Sequence, residues 1–169
     1  MCKPGMINSG TDKFGMITMV GHLHVSLDFL EFPPTCTCDG GDESPRIQLH
    51  GLDSASVAVW VVNPYIRSCC SFTPWLVWNV QAMAIIPGNI PKIPRVTSPI
   101  ACYQGTNDHG ITGYTGPCPP SGESHRYQIR VYGLDTMLEI PPGSTGRELV
   151  AAMRGHVLQY GETIAMCTR

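Results

Sequence analysis

The chain has 169 residues, a net charge of −2 and 14% charged side chains. A domain of this length buries roughly 70% of the surface its unfolded chain exposes, so a core needs neither disulfide nor metal to form. The acidic balance leaves no basic excess to neutralise phosphates, which excludes nucleic acid as the default partner, and no run approaches the roughly 18 apolar residues of a membrane span.

Gly (18) and Pro (15) are abundant, with Val, Ile, Tyr and Trp scattered between them. That pattern describes a loop-rich β protein and not a helical bundle. Residues 1–21 carry no periodic signal and read as an N-terminal arm, with one domain over 22–169. The opening stretch has no apolar block of the secretory kind, so a cytoplasmic location is expected.

Residues 22–32 (HLHVSLDFLEF) alternate: Leu23, Val25, Leu27 and Phe29 share one face of a predicted strand, which Pro33 and Pro34 end. Residues 36–45 (CTCDGGDESP) have the composition of a loop, with a tight turn at Asp39 and Gly40. A short strand is expected over 46–50. A central strand follows over 56–62 (SVAVWVV), nearly continuous in apolar residues and so covered on both faces. Another is expected over 72–80, with an irregular start because Pro74 cannot donate to a ladder. The spacing of Pro87, Pro91, Pro94 and Pro99 makes 83–116 read as a long irregular segment, a natural surface for function. Residues 125–134 (HRYQIRVYGL) are the clearest strand, and 138–140 a brief one. Ser144 is placed as the cap of a helix over 145–158, with Glu148 in its first turns and Leu149, Met153, Val157 and Leu158 at helical spacing. A last strand is expected over 163–167. Trp60, Trp75 and Trp78 fall on strands and read as core.

On the strand over 125–134, His125 and Tyr127 project from the same face while Arg126 points away. An imidazole and a phenol side by side supply two donors where an oxyanion would need them. The plain alternative is a structural histidine beside a core tyrosine. Just upstream, Gly116, Pro117, Cys118, Pro119 and Pro120 make a rigid loop in which Gly116 permits close backbone approach, and a cis X-Pro bond would suit such a pocket wall. The alternative is a purely structural turn. The eight cysteines (Cys2, Cys36, Cys38, Cys69, Cys70, Cys102, Cys118 and Cys167) fit no standard zinc spacing. They read mainly as buried reduced thiols, with a disulfide and a metal site as the alternatives.

Several segments, in order, resemble the prokaryotic (YbhB/YbcL-type) branch of the phosphatidylethanolamine-binding, or Raf-kinase-inhibitor-like, family: TCDGGDESPRIQL (37–49), QGTNDHGITGY (104–114), GYTGPCPPSGESHRY (113–127) and IPPGSTGRELVAAMRGHVLQYGETI (140–164). The resemblance covers roughly residues 22–169. It implies a mainly β fold of two packed antiparallel sheets with Greek-key connections, a C-terminal helix, and an anion pocket at one end of the sandwich. It also implies a pocket built from His125, Tyr127 and the loop residues Gly116, Cys118, Pro119 and Pro120.

Two pieces of the family pattern are absent. Its acidic motif, Asp-Pro-Asp-x-Pro, aligns with Asn63, Pro64, Tyr65, Ile66 and Arg67, so only Pro64 is kept. Its second pocket histidine falls on Pro74, five residues before Asn79. Losing a carboxylate and an imidazole removes two charge-assisted contacts of about 1.5–3 kcal/mol each, enough to weaken an anion by roughly two to four orders of magnitude.

The reading that follows is a binding protein, not an enzyme, without a cofactor or metal, whose partner is a small anion or a phospholipid headgroup. A homodimer is in keeping with the resemblance. Three other functions stand beside it: a regulator of a kinase or protease working through surface loops, a thiol metal or redox protein using Cys36, Cys38, Cys69 and Cys70, and an enzyme with Cys118 as nucleophile and His125 as base.

Overall fold

The apolar run at the centre of the sequence is the spine of the molecule. The computed structural model describes residues 20–64 and 72–169. In it the strands are β1 (Gly21–His22), β2 (His24–Ser26), β3 (Ile47–His50), β4 (Ser56–Asn63), β5 (Phe72–Gln81), β6 (Ile85–Ile86), β7 (Arg95–Val96), β8 (Cys102–Thr106), β9 (Ser124–Leu134), β10 (Gly143–Thr145) and β11 (Val157–Thr168). One helix, α1 (Gly146–Met153), precedes β11. An eight-stranded sheet runs β1-β11-β9-β4-β5-β8-β10, with β7 on β8, and β2-β3-β6 make a second sheet. The pairings are antiparallel except at the large sheet's edges, where β1 meets β11 and β10 meets β8 in parallel.

β4 is buried on both faces, as its sequence requires. Val57, Val59 and Val61 pack with Ile47 and Leu49 of the small sheet, while Ala58 and Trp60 turn to the opposite core, where Leu149 and Met153 of α1 close over Leu76 and Trp78. The large sheet is therefore covered by strands on one side and by the helix on the other. Trp75 and Trp78 are fully buried, each in a different core. At Gly161 the chain cannot carry a side chain: an added Cβ would lie 1.9 Å from the carbonyl oxygen of Leu23.

Several expectations are corrected. The helix is capped by Thr145, not Ser144, through a reciprocal capping box with Glu148. It stops at Met153, because Gly155 takes a left-handed φ of 77° and the chain then enters β11. Val157 and Leu158 thus lie on a strand, and the last strand is far longer than 163–167. No strand forms at 138–140. Asn79 takes the place of a neighbouring strand there, accepting from the Leu138 N–H at 2.7 Å and donating to its carbonyl at 2.9 Å. Residues 22–32 do not make one strand: β1 joins the large sheet and β2 the small one, so the stretch crosses between layers. The segment 83–116 contains β6, β7 and β8, and so is not wholly irregular. Much of it is tied by the buried Gln104, whose amide donates to the carbonyls of Pro91 at 2.6 Å and Ile93 at 3.0 Å. The N-terminal arm lies outside the described residues, apart from β1 and the residue before it.

Candidate functional site

β4 and β9 are antiparallel neighbours, with Val62 opposite Gln128, so the end of one meets the beginning of the other. This brings Asn63 beside His125 and Tyr127. Asn63 is buried, and its Nδ2 lies 3.1 Å from Nδ1 of His125. In this orientation the amide donates and Nδ1 accepts, which puts the ring proton of the neutral imidazole on Nε2. Nε2 lies 2.8 Å from Oε2 of Glu123. The His125 side chain keeps 18% of its surface exposed, and that of Glu123 37%. Tyr127 stands deeper. Its ring meets Phe32 edge-on, with centroids 5.6 Å apart. Burial pushes its phenol pKa up, and hydrogen bonds to the Asn63 side chain and the Cys118 backbone partly oppose that shift.

The proline loop forms the neighbouring wall, and the early loop holds it. A disulfide joins Cys38 to Cys118, with Cα atoms 5.4 Å apart. The Cys38 N–H donates to the Pro117 carbonyl at 3.2 Å, and Gly116 N–H donates to Oδ1 of Asp42 at 2.5 Å. The Asp42 carboxylate also pairs with Lys92. Tyr114, buried one residue past the left-handed Gly113, donates its hydroxyl to the Cys36 carbonyl at 2.7 Å. A side chain at Gly116 would strike that same carbonyl, since an added Cβ would lie 2.5 Å from its oxygen. Gly116 is therefore in close contact with the chain's own early loop. Arg169 lies at the outer edge of this wall, 3.0 Å from Asp39 and 3.6 Å from the sulfur of Cys118.

Asn63, His125, Tyr127 and Cys118 come together in this structure. Gly116, Pro117 and Pro119 are buried around them, while Cys118 and Pro120 face solvent. Pro64 follows Asn63 directly at the end of β4, half-buried. Pro74 sits where the register of β4 and β5 shifts, as the irregular start predicted. It is buried, and its carbonyl accepts from the N–H of Thr115 at 3.1 Å and from Asn107 at 3.2 Å. Pro74 thus helps to place the segment that leads into Gly116. Among the described residues the cis peptide is Ser98–Pro99 and not one in the proline loop. Tyr65, Ile66 and Arg67 lie outside the described residues.

The reading of the cysteines is corrected in part. Cys36, Cys102 and Cys167 are buried free thiols, with burial pushing that of Cys102 up to about 12. Cys38 and Cys118 are bonded, so Cys118 offers no thiol for the nucleophile considered above, and Cys38 none for a metal. Cys2, Cys69 and Cys70 lie outside the described residues. Among those described, no three His, Cys, Asp or Glu side chains are grouped to hold a metal ion.

Glu123 is the residue that reading the sequence missed. It lies just before β9, in the turn that follows the proline loop, where no strand alternation points to it. Two hollows, of about 420 and 500 Å³, lie on the helix side of the large sheet. The first is bordered by Leu138, Ala152 and His156 and the second by Trp60, Asp108 and Arg147, so neither reaches His125.

Residues 27–168 match the family described as phosphatidylethanolamine-binding protein. A UPF0098 protein of Pyrococcus horikoshii is 39% identical over 167 residues, covering 98% of this chain and 82% of that one. One of Pyrococcus abyssi is 41% identical over 139 residues, covering 81% and 78%. Among solved structures, YbcL of E. coli, titled a new member of the mammalian PEBP family, superposes with a TM-score of 0.77 at 22% identity, covering 88% of this chain and 99% of that one. A PEBP homologue from Chlamydia trachomatis gives 0.76 at 23%, with the same coverage.

Proposed function

Because the chain belongs to the phosphatidylethanolamine-binding protein family, we propose that it is a binding protein, not an enzyme, which takes an anion or a phospholipid headgroup between the proline loop and the His125 edge. The observation that carries this reading is the hydrogen-bonded set of Asn63, His125 and Tyr127 beside a loop fixed by the Cys38–Cys118 disulfide. A rigid wall lowers the ordering cost of binding, and an imidazole N–H with a partly exposed edge is a donor that an oxyanion can use. Asn63 supplies a neutral amide where the family has a carboxylate, and Pro74 supplies no donor at all. The pocket is therefore weak toward bare anions.

Titration with phosphate and with phosphoethanolamine, followed by the His125 ring signals in NMR, tests this. We expect saturable shifts at the His125 ring and at the backbone amides of the proline loop, with the amide shifts lost in His125→Ala while the fold persists. Ring signals unmoved by either ligand at high millimolar concentration would sink the reading.

A second reading, regulation of a kinase or protease through the surface, is favoured by one observation. The segment 83–116 leaves Ile85, Ile93 and Ile111 between 44% and 49% exposed. As for location, a cytoplasmic site is part of this proposal, and the Cys38–Cys118 bond is the observation that weighs against it, because reducing compartments keep thiols free. No described helix is long and apolar enough to cross a membrane.

A further inference from the structure

We infer that Glu123 is the built-in occupant of this site: its carboxylate holds the His125 proton that an external anion would use, so a ligand binds only by displacing it. This rests on the binding site proposed above. The ring has two nitrogens. Nδ1 accepts from Asn63, which leaves the N–H at Nε2 as the ring's one donor, and the Glu123 carboxylate lies 2.8 Å from it. A single N–H cannot serve two acceptors at full strength, and two anions held at one donor repel each other. Glu123 and a bound oxyanion are therefore mutually exclusive at this atom.

The surroundings suit a side chain that leaves while its backbone stays. The Glu123 N–H donates to the Pro120 carbonyl at 3.0 Å, and its own carbonyl accepts from Arg169 at 3.1 Å. The main chain is held at both groups and the side chain keeps 37% of its surface exposed, so an anion that displaces the carboxylate has to outcompete every contact it makes. Affinity for an anion is then set by competition within the protein. That separates this site from one that merely lacks ligands, because removing a side chain should improve it.

Phosphate titrations of the wild type, Glu123→Gln, Glu123→Ala and Glu123→Ala with His125→Phe decide the matter. Glu123→Gln keeps the shape and removes the charge, while Glu123→Ala clears the position. We expect both single variants to bind phosphate about tenfold more tightly than the wild type, and the double variant to lose the gain. Single variants that melt normally and bind no more tightly would overturn the inference while leaving the anion site standing. A gain that persists in the double variant would overturn it too, by placing the anion elsewhere. Absence of phosphate binding in all four proteins would overturn both the site and its occupant.

Discussion

Replacing Cys38 and Cys118 together by serine lowers stability by about 4 kcal/mol and the Tm by roughly 8–16 °C. The two cysteines are 80 residues apart in sequence, so their bond closes a long loop and removes much of the conformational freedom of the unfolded chain. Both lie at the surface, open to a reductant. Calorimetry of the wild type with and without reductant, beside the double variant, should give one pair of low values and one high value. A Tm that moves by less than about 2 °C in the variant would show that the contacts of Asp42, Tyr114 and Pro117 hold the two loops without the bond. The effect should also be local. Amide exchange at Gly116 and Cys38 should speed up in the variant more than exchange in β4.

Trp75→Ala is expected to cost about 3–5 kcal/mol for the cavity alone. Trp75 is fully buried, packs edge-on against Tyr114 at 5.6 Å and donates its indole N–H to Gln104 at 2.9 Å. Removing the indole also leaves the buried Gln104 oxygen without this donor, which adds about 1–3 kcal/mol. The total is comparable to the whole stability of many domains. Trp75→Phe separates the two contributions, since it keeps most of the volume and loses the hydrogen bond. In urea denaturation Trp75→Phe should fall well short of Trp75→Ala, and equal losses would contradict the packing argument. Because Gln104 also holds the Pro91 and Ile93 carbonyls, either change should loosen the segment that leads to the proline loop.

Much of this architecture could be read from periodicity. The alternation over 125–134 places Tyr127, Ile129 and Val131 inward, and the nearly continuous apolar run over 56–62 marks a strand buried on both faces; the structure shows both. Where periodicity failed, a single contact of longer range had intervened. Leu149, Met153 and Val157 satisfy a helical spacing, yet pairing with β9 claims Val157 for a strand once Gly155 has turned the chain. The residues around Leu138 suit a strand, but the Asn79 side chain satisfies their backbone instead. Such choices are made by partners far away in sequence, so a local window does not contain them.

The same division applies to the site. The resemblance pointed to His125, Tyr127 and the loop over 116–120, and the structure brings these together with Asn63. The partner of Cys118 was not legible, because spacing alone does not say which of several cysteines lies opposite. Glu123 was not legible either, because it precedes β9 and reaches His125 from a turn. The family pattern has its carboxylate at position 63, whereas here the carboxylate beside His125 comes from two residues upstream of it. Pro74, placed by the resemblance at the position of a lost ligand, has its carbonyl tied to Thr115 and Asn107.

The most direct measurement is a crystal structure of the wild-type protein soaked in phosphoethanolamine. Density for the phosphate within hydrogen-bonding distance of Nε2 of His125, with the Glu123 carboxylate turned away, is the result this account predicts. An undisturbed Glu123–His125 contact at saturating ligand, with the density only at the hollows beside α1 or nowhere, would contradict it.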